Sequence, residues 1–573
     1  MHLVSHFASH FVARCVLLLV FLFCPFLEAA AQTPSITRVQ PLALWPGQTN
    51  ELKLSGQNLS GPTELWISFP AVELKANLDT NGASSTQLGY RVEVPKAAPV
   101  GIGAFRLATT NGITPLQLFM LDDLATIEES ATNKTTASAQ PIKWPIAVDG
   151  HADEITFDYF KFNAKQGEQV SIEVVAQRLG SSLDPVLRLL DKNGREIAYC
   201  DDDARVGKDS RLRWRIPATG AYLVEVRDIN YGGGPAFYYR LRVGDFPLTS
   251  MPYPPLQQPA TNVAVSVLSG QDKTLPKTKA DVPAGVRRVS VPVRTRRDGG
   301  SSFVSLLAVD SPQAMEKEPN NATNTATPIT IPCGVSGRFE QPKDIDLFRF
   351  TANKDQKIVF RARNRSLGSP CDLFMSIQDA KGETVAEYDP TAPDEGTITN
   401  TFKTEGEFFL MVEELNQGGG PDLGYHIEAS ELRPGFALSL EASEFQGRPG
   451  ETVTAKVTVV RRDYDGLIQL VVESPIAFTT ESATIAEKKN ETELKLRLPD
   501  DAAPGTRIPM TIVGKAKIGA RDESDTASTL PALRKLWPGL RYPPVELDGL
   551  LAIGVRSSET KSDEGGPRRK RKE

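Results

Sequence analysis

The segment Asp158-Tyr159-Phe160-Lys161-Phe162 returns as Asp346-Leu347-Phe348-Arg349-Phe350, and the register holds well beyond it. Leu179-Gly180-Ser181 aligns with Leu367-Gly368-Ser369, Asp184 with Asp372, Asp191 with Asp379 and Gly194 with Gly382, all at an offset of 188. After a two-residue deletion, Gly220, Gly232-Gly233-Gly234-Pro235 and Tyr239 fall on Gly406, Gly418-Gly419-Gly420-Pro421 and Tyr425. Chance does not keep such a register, so two related units occupy 125–247 and 314–431. Inside them apolar residues recur at every second position, as in Val170-Ser171-Ile172-Glu173-Val174 and Tyr222-Leu223-Val224-Glu225-Val226. A period of two gives a strand one buried face and one wet face. The same alternation marks Glu51-Leu52-Lys53-Leu54-Ser55 and Val453-Thr454-Ala455-Lys456-Val457, outside the repeats. With 44 Gly and 42 Pro punctuating the whole length, no helix of more than three turns is expected. The fold class is all-β, a string of β-sandwich domains.

The first residues are of another kind. Arg14 precedes an apolar run from Val16 to Leu27 that ends in Ala29-Ala30-Ala31. This is the pattern of a secretory signal peptide over 1–31, with cleavage expected near Ala31; the run is too short for a spanning helix. Phe23 stands where a lipoprotein acceptor at Cys24 would need a small residue. Cys200, Cys333 and Cys371 are left for an oxidising compartment. Cys333 and Cys371 share one predicted domain, where they form either a disulfide or two buried free thiols. Loss of Arg14 and Glu28 leaves the formal charge of −6 unchanged. That balance gives no reason to expect a nucleic-acid partner, and no transmembrane segment remains after signal removal. The run Arg568 to Lys572 reads as a solvated tail within a mostly disordered 521–573.

Both repeats resemble the bacterial pre-peptidase C-terminal domain. The resemblance is carried by Glu318-Pro319-Asn320-Asn321, by Asp346 to Phe350, by the Asp379 to Gly382 turn and by the Gly406 to Val412 strand. It implies a jelly-roll-like sandwich of the kind appended to secreted peptidases and other exported proteins, with roles from substrate binding to assisting secretion. Residues 32–122 resemble an immunoglobulin-like domain of the IPT/TIG type, through Pro41 to Gly47, Leu52 to Leu59, Val92-Glu93-Val94-Pro95 and Thr110-Asn111-Gly112. Residues 248–313 are a small β domain or an extended linker, and 436–516 a second immunoglobulin-like domain.

A hydrolytic triad needs a base within reach of a nucleophile and a group that orients the base. Past the signal, only His151 and His426 are available, in separate repeats, and no Gly-x-Ser-x-Gly, His-Glu-x-x-His or Cys-x-x-Cys is present. The chain is therefore expected not to be an enzyme. The glycine triplets are followed by Pro and flanked by strands, which suits a hairpin and not a phosphate loop. Carboxylate clusters are the one candidate site, because calcium takes six to eight oxygens from converging segments. By resemblance to family members that hold calcium, the candidate ligands are Glu316, Glu318, Asn320, Asn321, Asp344 and Asp346; the other reading is a capped strand start with solvated acids. The first repeat has Glu128-Glu129-Ser130-Ala131-Thr132 there, and Ala131 offers no side-chain ligand. Asp201-Asp202-Asp203 is a weaker cation candidate. The functional expectation is a secreted, periplasmic or cell-surface binding or scaffold protein that contacts extracellular polysaccharide, protein or the cell surface. The alternative is an accessory or degenerate relative of a secreted peptidase, with that peptidase as partner.

Overall fold

Strand Asp158–Ala164 shows how the repeats are built. Its Phe160 and Phe162 point inward and Tyr159, Lys161 and Asn163 outward, as the pleat requires. It pairs antiparallel with Gly220–Asp228, Phe160 opposite Val224, so apolar residues of neighbouring strands meet on one face. In the computed structural model, which describes residues 33–270, 277–294, 299–388 and 395–557, every domain from Pro34 onward follows this pattern. The expected signal peptide and the Arg568 to Lys572 run lie outside the described residues.

The first repeat is a sandwich of two five-stranded sheets. One runs Thr126–Glu128, Ile146–His151, Tyr238–Gly244, Gln169–Val175, Arg211–Arg215; the other Gln140–Pro141, Asp158–Ala164, Gly220–Asp228, Pro185–Asp191, Glu196–Cys200. The region 313–431 has the same topology strand for strand. Its sheets are Gln313–Met315, Cys333–Arg338, Gly424–Glu431, Lys357–Arg363, Thr397–Thr401, and Thr327–Pro328, Ile345–Ala352, Gly406–Glu414, Leu373–Asp379, Thr384–Glu387. The glycine triplets are not hairpins. They join strands of opposite sheets, Gly220–Asp228 to Tyr238–Gly244 and Gly406–Glu414 to Gly424–Glu431. A Cβ on Gly233 would lie 2.2 Å from the Asp153 carbonyl carbon, and one on Gly419 would lie 2.0 Å from that of Gln341. The glycines let one loop backbone press on another.

The N-terminal domain pairs two sheets around Leu52, Leu54, Tyr90, Val92, Phe105, Leu107 and Phe119. Residues 248–313 form a small domain of two three-stranded sheets around Val265, Val267, Val291, Val304 and Leu306, not an extended linker. Cys333 and Cys371 are buried free thiols, so the disulfide is not made; burial pushes the Cys333 thiol up to about 11 and raises that of Cys371 as well.

The expectation of disorder after residue 521 is overturned as far as residue 557. Strand Arg521–Thr526 pairs with Arg507–Ile518, and Leu551–Val555 inserts between Arg507–Ile518 and Glu444–Gly447, with all five of its residues buried. Helix Leu530–Leu536 lies between them. Its Leu533, followed by Trp537, packs with Leu42 and Leu116 of the N-terminal domain and Val175 and Leu179 of the first repeat. A Pro- and charge-rich composition hid a short apolar run that completes a core.

The sandwiches fold back on one another. Fully buried Arg240 and Arg242 of the first repeat both grip Asp122, at 2.8 and 3.0 Å, and reach Asp149 at 2.6 Å and Glu173 at 2.5 Å. Burial drives the Asp122 carboxyl up, but the two guanidinium groups outweigh it and hold Asp122 below its ordinary value. Arg242 also donates to the Ser301 carbonyl of the small domain at 2.5 Å. At the other end Arg507 bonds Glu64 at 3.0 and 3.1 Å, and Gln446 exchanges hydrogen bonds with the Ile113 backbone. No helix among the described residues is long and apolar enough to cross a membrane.

Candidate cation site in the second repeat

Glu316 follows the short strand Gln313–Met315, and its N–H donates to the Ser336 carbonyl, which turns the side chain under the sheet end. One carboxylate oxygen accepts from the Arg338 N–H at 2.8 Å and from the Tyr253 hydroxyl of the small domain at 2.9 Å. Asp346 opens the paired strand with its side chain fully buried, and Oδ2 accepts from the Tyr425 hydroxyl at 2.5 Å. Glu318 closes the third side, where its Oε2 accepts from the Asn320 N–H at 3.0 Å. Ligand oxygens of Glu316, Glu318 and Asp346 lie within 4.8 Å of one another. Gly337 makes room for this, since a Cβ there would be 2.4 Å from Glu316 Oε2 and 2.2 Å from the Tyr425 oxygen.

The electrostatics are unbalanced. Glu316 Oε2, Asp346 Oδ1 and both polar atoms of the Asn320 amide are buried with no hydrogen bond of ordinary geometry. Buried polar atoms are nearly always paired, and a positive charge placed among these orphans and the three carboxylates would satisfy them. Burial, reinforced by mutual repulsion, raises the Glu316 and Asp346 carboxyls well above their ordinary range, and Glu318 rises with them. The donor set is all oxygen, which suits a hard divalent cation such as calcium. Of the six residues expected from sequence, Glu316, Glu318 and Asp346 come together and Asn320 lies against them. Asn321 and Asp344 bond each other at 2.9 Å, and Asp344 caps the Glu340 N–H, so this pair forms an outer wall.

The first repeat solves the same problem differently. Glu129 is the counterpart of Glu316, its N–H bonded to the Asp149 carbonyl; Asn133 matches Asn320, and Asp158, held by the Tyr239 hydroxyl at 2.8 Å, matches Asp346. The next residue is Lys134 where the second repeat has Asn321. Its ammonium sits 3.0 Å from Glu129, 2.5 Å from Asp158 and 3.1 Å from Asp153. A tethered cation occupies the position at which the second repeat leaves its carboxylates unpaired. Tyr253 and Lys134 were both missed from sequence. Lys134 could have been found by aligning Asn133-Lys134 with Asn320-Asn321, whereas Tyr253 carried no signal.

The other candidates separate. Asp203 is neutralised by Arg205 and Arg211, and Asp201 accepts from Tyr199, so the Asp201 to Asp203 run does not converge. His151 uses its backbone N–H to bond Glu129. His426 Nδ1 is 2.9 Å from the Ser336 hydroxyl, but both residues are fully buried, and burial lowers the imidazole to about 3. A buried imidazole that stays neutral and meets no solvent does not serve as a general base.

Residues 156–228 match the family described as bacterial pre-peptidase C-terminal domain. A probable subtilase-type serine protease of Deinococcus radiodurans is 34% identical over 117 residues, 19% of this chain and only 15% of that protein's length. Among solved structures, the pre-peptidase C-terminal domain of a collagenase from Bacillus anthracis is 18% identical, with 93% of it and 18% of this chain covered and a TM-score of 0.16. The D1–D4 ectodomain fragment of ICAM-5 is 11% identical, with 85% of this chain and 96% of that one covered and a TM-score of 0.12. The chain is all-β, and within its first repeat, at 156–228, it carries a segment of the bacterial pre-peptidase C-terminal kind.

Proposed function

We propose that this is an exported, non-catalytic binding or scaffold protein whose second repeat is a further pre-peptidase C-terminal-like domain that takes up calcium. One observation carries the calcium reading: the Lys134 ammonium fills the carboxylate cage of the first repeat, while among the described residues no lysine or arginine side chain pairs with the matching cage of Glu316, Glu318 and Asp346. Calcium bound there would also fix the small domain, because Tyr253 bonds Glu316. Export is supported by the leader-like residues 1–31 and by the domain match. The non-catalytic reading rests on the sequence, which past residue 31 offers only His151 and His426, in separate repeats. Thermal unfolding with calcium and with EDTA tests the site. Calcium is expected to raise the midpoint of the wild type and to leave Glu318→Ala and Asp346→Asn unmoved; equal shifts in all three proteins would place the ion elsewhere.

The similarity to a probable subtilase-type serine protease favours a second reading, in which the chain accompanies or derives from an exported peptidase. Affinity capture of the full chain from its own secretome should then retain a serine peptidase.

A further inference from the structure

The two sheets of the first repeat meet different surroundings. One buries Arg240, Arg242 and Glu173 against neighbouring domains. The outer face of the other keeps Tyr199 exposed and Tyr159 and Arg188 half-buried, with Glu225 buried between them. In register across its strands stand Tyr159, Glu225, Arg188 and Tyr199, successive Cα partners on four strands. They lie opposite the core positions Phe160, Val224, Leu187 and Leu189, so all four project outward. Three strand spacings separate the two tyrosines, roughly 14 Å. A second line continues along the edge: Phe157 sits 6.2 Å from the Tyr159 ring and packs edge-on against Tyr231 at 6.0 Å, with the Arg227 guanidinium 4.6 Å over Tyr231. Tyr199 is 45% exposed and Tyr231 44%.

The polar groups between the rings are held rigid. Arg188 Nη1 bonds both oxygens of Glu225, at 2.8 and 3.0 Å, Nε bonds Glu196 at 2.8 Å, and the Tyr159 hydroxyl reaches Glu225. Among the described residues nothing bonds Arg188 Nη2, which leaves a fixed donor at the surface between two aromatic rings. Arg188, Arg227 and Lys161 are balanced by Glu225, Glu196 and Asp201, so the face presents no net charge to a partner. The second repeat has the same strands but Gln417, Ile345, Leu347, Met411, Ser376 and Glu387 at these positions, and Leu347 there is buried with Phe409 and Ala326. The pleat and the core of the second repeat are kept without the array.

The geometry points to this outer face of the first repeat as a binding surface for a neutral polysaccharide. Aromatic rings are rigid and amphipathic and give a large contact area at small entropic cost. A pyranose offers an apolar ring face that stacks on them and hydroxyls that meet Arg188 Nη2 and the tyrosine hydroxyls. An acidic or basic peptide would find no field of opposite sign, and a wholly apolar one would have to cover the Arg188 ion pair without satisfying Nη2. Glu225 acts here as a positioning residue for Arg188. The proposal rests on the reading of the chain as an exported binding protein, and it is independent of the calcium site.

Native electrophoresis of the full chain through gels holding hydroxyethylcellulose, xylan or galactomannan, with gelatin and plain gels beside them, tests it. Retardation is expected in a polysaccharide gel. Tyr199→Ala and Arg188→Ala should each weaken it about tenfold, and Tyr199→Trp, which keeps a stacking face, should retain it. Unchanged far-ultraviolet circular dichroism and thermal midpoints separate loss of binding from loss of fold. Free migration in all three polysaccharide gels overturns the proposal, and so does retardation that both alanine variants preserve. Retention by gelatin alone, lost in Tyr199→Ala, would keep the binding-protein reading and replace the glycan with a protein chain.

Discussion

Glu316 and Lys134 state the residue-scale problem in opposite ways. Burial raises the Glu129 carboxyl to about 7 and raises that of Asp158, with Lys134 opposing both shifts, whereas Glu316 and Asp346 have no ammonium group beside them among the described residues. Burial first, then the Asp346 charge, raises Glu316 from its ordinary value of 4.5 to about 9. A carboxyl whose pKa is higher folded than unfolded stabilises the fold below its unfolded pKa. That contribution drains away as pH rises toward the folded value. In EDTA the unfolding midpoint should therefore fall between about pH 5 and about pH 8, and saturating calcium, which binds the deprotonated cage, should remove the fall. A midpoint in EDTA that is flat or rises over that range contradicts this electrostatic account. Much of the site was legible in the sequence, since Glu316, Glu318 and Asp346 flank a recurring strand start. Tyr253 was not, because side chains that meet through tertiary packing leave no spacing to read.

At the scale of elements, alternation marked strands with one buried face, such as Thr49–Gln57, Asp158–Ala164 and Thr452–Arg462. It did not tell which sheet a strand joins. The glycine triplets have the composition of a turn, yet they carry the chain between sheets, and what demands glycine is the backbone of a second loop at Asp153 and Gln341. Leu551–Val555 escaped notice for another reason: five buried residues beyond a Pro-rich stretch carry no alternation, as is usual for a strand covered on both faces. Its parallel pairing to Glu444–Gly447 and antiparallel pairing to Arg507–Ile518 make it an interior strand of the last domain. Ile553→Asp would bury an unpaired charge there. It should cost at least about 3 kcal/mol in urea unfolding; a change below about 0.5 kcal/mol would mean that the strand is not part of the core.

For the whole molecule, the two repeats could be read from sequence, whereas 248–313 stayed open between a small β domain and a linker, and the mutual contacts of the sandwiches could not be read. Asp122, Arg240 and Arg242 look like ordinary surface residues in sequence and are fully buried where domains meet. Helix Leu530–Leu536 brings the end of the chain back to the first two domains. Within that assembly the repeats differ: in the first, Lys134 lies among the carboxylates, and at the matching carboxylates of the second, Glu316, Glu318 and Asp346, we propose a calcium ion. Calorimetric titration of calcium into the full chain measures that difference most directly. One ion should bind per chain, with binding lost in Asp346→Asn and retained in Asp158→Asn. No heat of binding in the wild type, or binding that Asp346→Asn leaves intact, would contradict the proposal.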